Sequence, residues 1–204
     1  MEERDTRREL VRVARAAYEL RLAPGTSGNL SARCDGTFLV SPGGTSLGYL
    51  RECDFVEAGV RDREFDAPAS SEAAMHAAIY RVDPGIYAIL HFHGPWTILA
   101  GLTTQDSRWV PAHVPPEFGA IAPRGYLPRL RHLSPGSEEL AIETASALDE
   151  SDALGVVLAG HGGVCVGKGL EETLFSAEAV EAAAHLDYHL RLTLPATRGG
   201  IERD

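Results

Sequence analysis

"AILHFHGPWT", residues 88–97, closes an apolar run on two histidines one residue apart. Residues 86–93 read as a strand, and on a strand the side chains at i and i+2 point to the same face, roughly 6–7 Å apart along it. Two neutral imidazole nitrogens can then converge on one ion. A strand end at which His91 and His93 merely meet solvent is the alternative. Farther along, "ALGVVLAGHGGVCVG" (153–167) reads as two strands around a turn at His161-Gly162-Gly163, so a third histidine also ends an apolar strand. If these strands share one sheet, three imidazoles converge at its edge. Three nitrogen ligands with an open fourth position describe a catalytic, zinc-type site rather than a structural one. By itself, His161 reads as a turn histidine. Cys165 would lie about 13 Å from His161 in an extended strand, too far to share an ion, and reads as a small buried residue.

Helical periodicity surrounds these strands. Residues 5–21 form an amphipathic helix with Leu10, Val13, Ala17 and Leu20 on one stripe. "SSEAAMHAAIYRVDP" (70–84) is a second helix, capped by Ser70 or Ser71, with Glu72 in its first turn and Asp83-Pro84 as its stop. A third covers 137–150, and a long last helix starts near Leu170, with Phe175, Ala179, Ala182, Leu186 and Leu190 as its apolar positions. "NLSAR" and "TFLVSP" are short strands around the hairpin signal Asp35-Gly36. Residues 47–60 read as a turn or short helix and then a strand. The proline-rich stretch 94–134 reads as irregular connections with a short helix at 95–102 and short strands. No linker interrupts the pattern. The expectation is a single α/β domain over residues 1–204, with a central, mostly antiparallel sheet flanked by helices.

Composition narrows the function. A hydrophobic fraction of 44% over 204 residues suits one globular core. The densely charged start, MEERDTRREL, is neither a signal nor a transit peptide, and the longest apolar runs are too short to span a bilayer. A net charge of −10 argues against nucleic acid and anionic membrane surfaces as partners. Three scattered cysteines, Cys34, Cys53 and Cys165, make no disulfide framework and fit a reducing cytoplasm.

Glu72 is the natural acid/base candidate. A carboxylate in a first helical turn can be no more than a dipole-friendly cap; beside a divalent cation it stays ionised and can ligate the metal or move a proton. His76, one turn on, reads as a structural partner. Three small-residue loops, "GTSGN" (25–29), "SPGG" (41–44) and "SSE" (70–72), offer backbone N–H groups and hydroxyls, the means to hold a phosphate without lysine. Each alone is more often a turn with a helix cap, and periodicity does not tell whether they meet.

Gly25-Thr26-Ser27-Gly28-Asn29-Leu30-Ser31, Val40-Ser41-Pro42-Gly43-Gly44, Ser70-Ser71-Glu72 with His76, His91-Phe92-His93, and His161-Gly162-Gly163 before the long helix occur in an order and spacing that resembles the class II aldolase/adducin family, including its fuculose-1-phosphate aldolases. The resemblance covers roughly residues 5–192. It implies a three-layer α/β/α fold and a Zn2+ ion (Mn2+ or Co2+ being other options) on His91, His93 and His161. It also implies a homotetramer with sites between subunits, a phosphate held by Thr26, Gly28, Asn29, Gly43, Gly44, Ser70 and Ser71, and Glu72 as acid/base. The implied function is a zinc-dependent carbon–carbon lyase acting on a small molecule: first an aldolase cleaving a small sugar phosphate through a metal-stabilised enediolate, and second a decarboxylase of a hydroxy- or oxo-acid. Pentulose-phosphate epimerases, dehydratases and non-catalytic adducin-like heads share the scaffold; those heads are expected to lose ligands that persist here. Gly43 stands where the fuculose aldolase has a hydroxyl residue. "VPAHVPPEFGAIAPRGYLPRL" (110–130) has no tyrosine where that aldolase carries its proton donor, leaving His113, Glu117 or Tyr126 as substitutes. A CO2 leaving group needs no such donor, and Arg124, Arg129 and Arg131 could then bind a carboxylate if they are more than surface charge. The tail "PATRGGIERD" is short beside those of some relatives.

Overall fold

The strand that carries the histidine pair, β4 (Ala88–Phe92), lies inside an eight-stranded sheet. The computed structural model describes residues 3–193, so the tail "PATRGGIERD" lies outside the described residues. The other strands are β1 (Asn29–Cys34), β2 (Thr37–Val40), β3 (Val56–Gly59), β5 (Arg108–Trp109), β6 (Leu127–Leu130), β7 (Gly155–Leu158) and β8 (Gly162–Gly167). Their order is β3-β2-β1-β4-β8-β7-β6-β5, with every neighbouring pair antiparallel except β6 and β7. The helices are α1 (Glu3–Glu19), α2 (Ala73–Val82), α3 (Pro95–Thr103), α4 (Pro116–Ile121), α5 (Glu138–Ser151) and α6 (Leu170–Thr193).

The period of two along β4 divides the layers. Ala88, Leu90 and Phe92 pack into the core shared by α1, α4 and α6, whereas Ile89 packs into the one shared by α2 and α5. His91 follows Ile89 onto the α2 side. All five residues of β4 are buried, the pattern of a strand covered on both faces. A slip of one residue would exchange Leu90 and Phe92 with His91 between the layers. Each large apolar side chain misplaced costs roughly 1.5–3 kcal/mol, so the core holds the histidine on the α2 face.

The three-layer α/β/α expectation stands, with local corrections. α2 begins at Ala73, so Glu72 occupies the cap position expected for Ser70 or Ser71. Ser70 still serves that end: its carbonyl accepts the Ala73 N–H at 3.0 Å and its hydroxyl accepts the Glu72 N–H at 3.3 Å. In 94–134 the sequence missed α4, a six-residue helix opened by Pro115-Pro116 and anchored by buried Phe118 and Ile121. The expected apolar face of α6 is wrong: Phe175 is 59% exposed and Leu186 38%. Its buried face carries Leu174, Ala177, Val180, Ala183 and Ala184. Small side chains let the helix approach β4 and β8 closely, and a reading that weights large residues selects the opposite side.

Candidate active site

The ends of β4 and β8 meet with almost no clearance. His91 lies opposite Val164 and Phe92 opposite Gly163, so the turn after β7 brings His161 against the histidine pair. A Cβ on Gly162 (φ 141°) would sit 2.1 Å from the Phe92 carbonyl oxygen, which leaves glycine as the residue that fits. On the other side of β4, β1 places Asn29 opposite His91. A Cβ on Gly28 (φ 71°) would come within 2.7 Å of the His91 carbonyl oxygen. Backbone approach at both flanks thus depends on glycines from two of the motifs.

The three imidazoles face one another, with ring centroids 4.7–4.9 Å apart and candidate ligand atoms within 4.8 Å of each other. His91 Nδ1–H donates to the Gly163 carbonyl at 3.0 Å, which leaves the Nε2 lone pair turned inward. That nitrogen sits 2.9 Å from His93 Nε2 and 3.0 Å from Glu72 Oε2. Glu72 Oε1 is 3.6 Å from His161 Nε2, and both Glu72 Oε1 and His161 Nδ1 are buried without a hydrogen-bond partner. Lone pairs crowded this closely repel unless a proton or a cation lies among them. Burial first, and then repulsion from the neighbouring imidazoles, pushes His93 down to about 4 and His161 below its ordinary value. A divalent metal fits the site. Burial pushes Glu72 up, but His91, His161 and the Asn29 amide outweigh it and hold the carboxyl below its usual value.

The sequence as a whole agrees with this geometry. Residues 8–188 match the model of the Class II Aldolase and Adducin N-terminal domain. The chain belongs to that family. It is 32% identical over 192 residues to the 3-oxo-tetronate 4-phosphate decarboxylase of Escherichia coli K12, covering 92% of this chain and 88% of the relative. It is 27% identical to the L-fuculose phosphate aldolase of Methanococcus maripaludis, over 88% of this chain and 94% of that one. The crystal structure of L-fuculose-1-phosphate aldolase from Thermus thermophilus superposes with a TM-score of 0.81 at 26% identity, covering 93% and 97% of the two chains. Both kinds of relative are lyases, as expected of this family member.

Within the family's fold, two of the expected phosphate segments pack together. Pro42 bridges Ala69, the Gly43 N–H donates to the Pro68 carbonyl at 2.9 Å, and a Cβ on Gly43 would touch Ala69 and Ser70. Gly43, Gly44 and Ser71 are exposed and available to a ligand, as is Thr26 on the third segment, while Ser70 is buried against the start of α2. Asn29, on the same segment as Thr26, faces inward. Its side chain is buried and turned to Glu72 and His76, not outward among the loops. The arginines considered for a carboxylate are engaged elsewhere: Arg124 with Asp152, Arg131 with Glu139 and Glu143, and Arg129 with the Gly101 carbonyl. Tyr126 lies under the Arg108 guanidinium, and Glu117 lines a groove beside α6, on the far side of the sheet from Glu72. Ser31 and Tyr80 extend the buried network behind Glu72 through His76, although sequence reasoning assigns them no role. The period of two along β1, Asn29 then Ser31 on one face, is the signal that points to Ser31.

Proposed function

We propose that this chain is a divalent-metal-dependent carbon–carbon lyase of small phosphorylated substrates, with His91, His93 and His161 as ligands and Glu72 as acid/base. One observation carries the reading: a buried carboxylate touches two of three converging imidazoles and has an oxygen with no other partner. Thr26, Gly28, Gly43, Gly44, Ser70 and Ser71 would hold the phosphate and set the distance from it to the scissile bond. When bound, a divalent ion, with zinc the first choice for three imidazoles, supplies Lewis acidity to the substrate oxygens. Glu72 moves the proton at the carbon that takes the electron pair of the broken bond, delivering it in cleavage and removing it in the reverse direction. Residues 1–204 would act as one catalytic domain, in a cytoplasmic homotetramer.

An aldolase is the first form of this reading and a decarboxylase the second. The second is favoured by the placement of Glu117 across the sheet from Glu72, because a carboxylate leaves as CO2 with no proton transfer, whereas an aldehyde forms only as its hydroxyl gives up a proton to a nearby base. The test loads the protein with zinc and follows L-fuculose 1-phosphate and 3-oxo-tetronate 4-phosphate by NMR. Release of an aldehyde identifies the aldolase, and release of CO2 identifies the decarboxylase. Failure to bind any divalent metal, with neither substrate consumed, would reject the lyase.

A further inference from the structure

Behind Glu72 runs an unbroken chain of buried polar side chains. Asn29 Nδ2 lies 3.1 Å from Glu72 Oε2, and Asn29 Oδ1 bonds His76 Nε2. His76 Nδ1 is 2.6 Å from Ser31 Oγ, which is 2.8 Å from the Tyr80 hydroxyl. None of the five residues is more than 6% exposed. β1 supplies Asn29 and Ser31, and α2 supplies His76 and Tyr80, at i and i+4 of one helix face.

The donors can be assigned in order. An ionised carboxylate only accepts, so the amide turns its NH2 to Glu72 and its oxygen to His76. That oxygen also only accepts, so His76 carries its proton on Nε2. The ring is fully buried with no carboxylate in hydrogen-bond contact, which keeps it neutral and leaves Nδ1 as an acceptor. Ser31 spends its one proton there, so its oxygen takes the proton of Tyr80, which also lies 3.2 Å from the Tyr87 carbonyl. We propose that Tyr80, Ser31, His76 and Asn29 form a one-way hydrogen-bond relay, every donor pointing toward Glu72, that locks the carboxylate in its working orientation and makes Asn29 a positioning residue for it.

The proposal rests on the reading of Glu72 as acid/base, and it makes claims of its own. A chain polarised in one direction strengthens each bond in it, and the Asn29 amide cannot flip without setting its oxygen against the carboxylate. Asn29→Ala should therefore lower kcat about 10–100-fold, whatever its effect on KM. His76→Leu should do the same, and His76→Gln, which retains an N–H in reach of Asn29, should recover most of the lost rate. In the zinc-loaded protein, ¹⁵N NMR should find His76 as the neutral Nε2–H tautomer, and Ser31→Ala should weaken that preference.

The two readings fail separately. If Glu72→Gln retains full turnover, the acid/base reading falls. If Glu72→Gln is inactive but Asn29→Ala leaves kcat unchanged, the relay is wrong. A His76 proton on Nδ1 overturns the assigned direction, and this readout requires no substrate.

Discussion

At the scale of single residues, the site depends on lone pairs held close together. His91 donates through Nδ1 to Gly163 and faces His93 and Glu72 with Nε2. His91→Ala removes the central nitrogen, so metal content and activity should be lost together, measured as metal per chain by elemental analysis. Glu72→Gln keeps the shape and loses the base. It should retain metal and lose turnover by about 10²–10⁴-fold. His76 provides a pH signature in the metal-free protein. Burial pushes it down to about 3, against roughly 6.5 in the unfolded chain. The unfolded state therefore binds the extra proton between those values. Stability is complete above pH 6.5 and declines as pH falls toward 3, by up to about 1.4 kcal/mol per pH unit from this group. Urea denaturation at pH 7.5, 6 and 5 should show a shallower decline in His76→Gln, by one proton's worth of slope.

At the scale of elements, the site is a meeting of ends. β4 finishes where β8 and β1 begin, and helix starts close the gaps between them. Gly162→Ala would drive a methyl into the Phe92 carbonyl and push the His161 turn away from β4. We expect a folded protein by circular dichroism whose zinc affinity is at least tenfold weaker. α3 starts two residues after His93, and Glu181 of α6 ties down that start: its carboxylate accepts the Trp96 and Thr97 N–H groups, each at 2.9 Å, and the Thr97 hydroxyl at 2.7 Å. Glu181→Ala leaves orphan donors at a helix N-terminus and should cost about 1–3 kcal/mol in a denaturation experiment.

At the scale of the whole molecule, the sheet separates the proposed chemistry from an apolar surface groove. Glu72, Asn29 and His91 lie on the α2 face, while the α6 face carries an apolar groove lined by Ile121, Leu154, Phe175 and Ala179. Among the described residues, no helix is long and apolar enough to cross a membrane. If the proposed tetramer uses the α6 face, Phe175→Asp should lower the mass measured by light scattering below four chains. An unchanged mass would place the subunit contacts elsewhere.

The sequence determined the elements and the chemistry they carry. The two-residue spacing of His91 and His93, the apolar runs before them and the glycine turn at His161 are local patterns, and local backbone geometry reads them directly. It also indicated Glu72 and the three loops, because a residue's chemistry is visible in the chain. Tertiary structure decided which of these groups meet, and in what orientation. Asn29 belongs to a phosphate motif by its position in the chain, yet antiparallel pairing of β1 with β4 sets it across from His91 and within reach of Glu72 and His76. Periodicity favoured Phe175 for the core, yet close approach to the sheet selected alanines on the other side of α6. Hydrogen bonds between residues more than 40 positions apart, and the clearance between packed elements, are set by how β1, α2, β4 and β8 assemble, and no local pattern encodes that assembly.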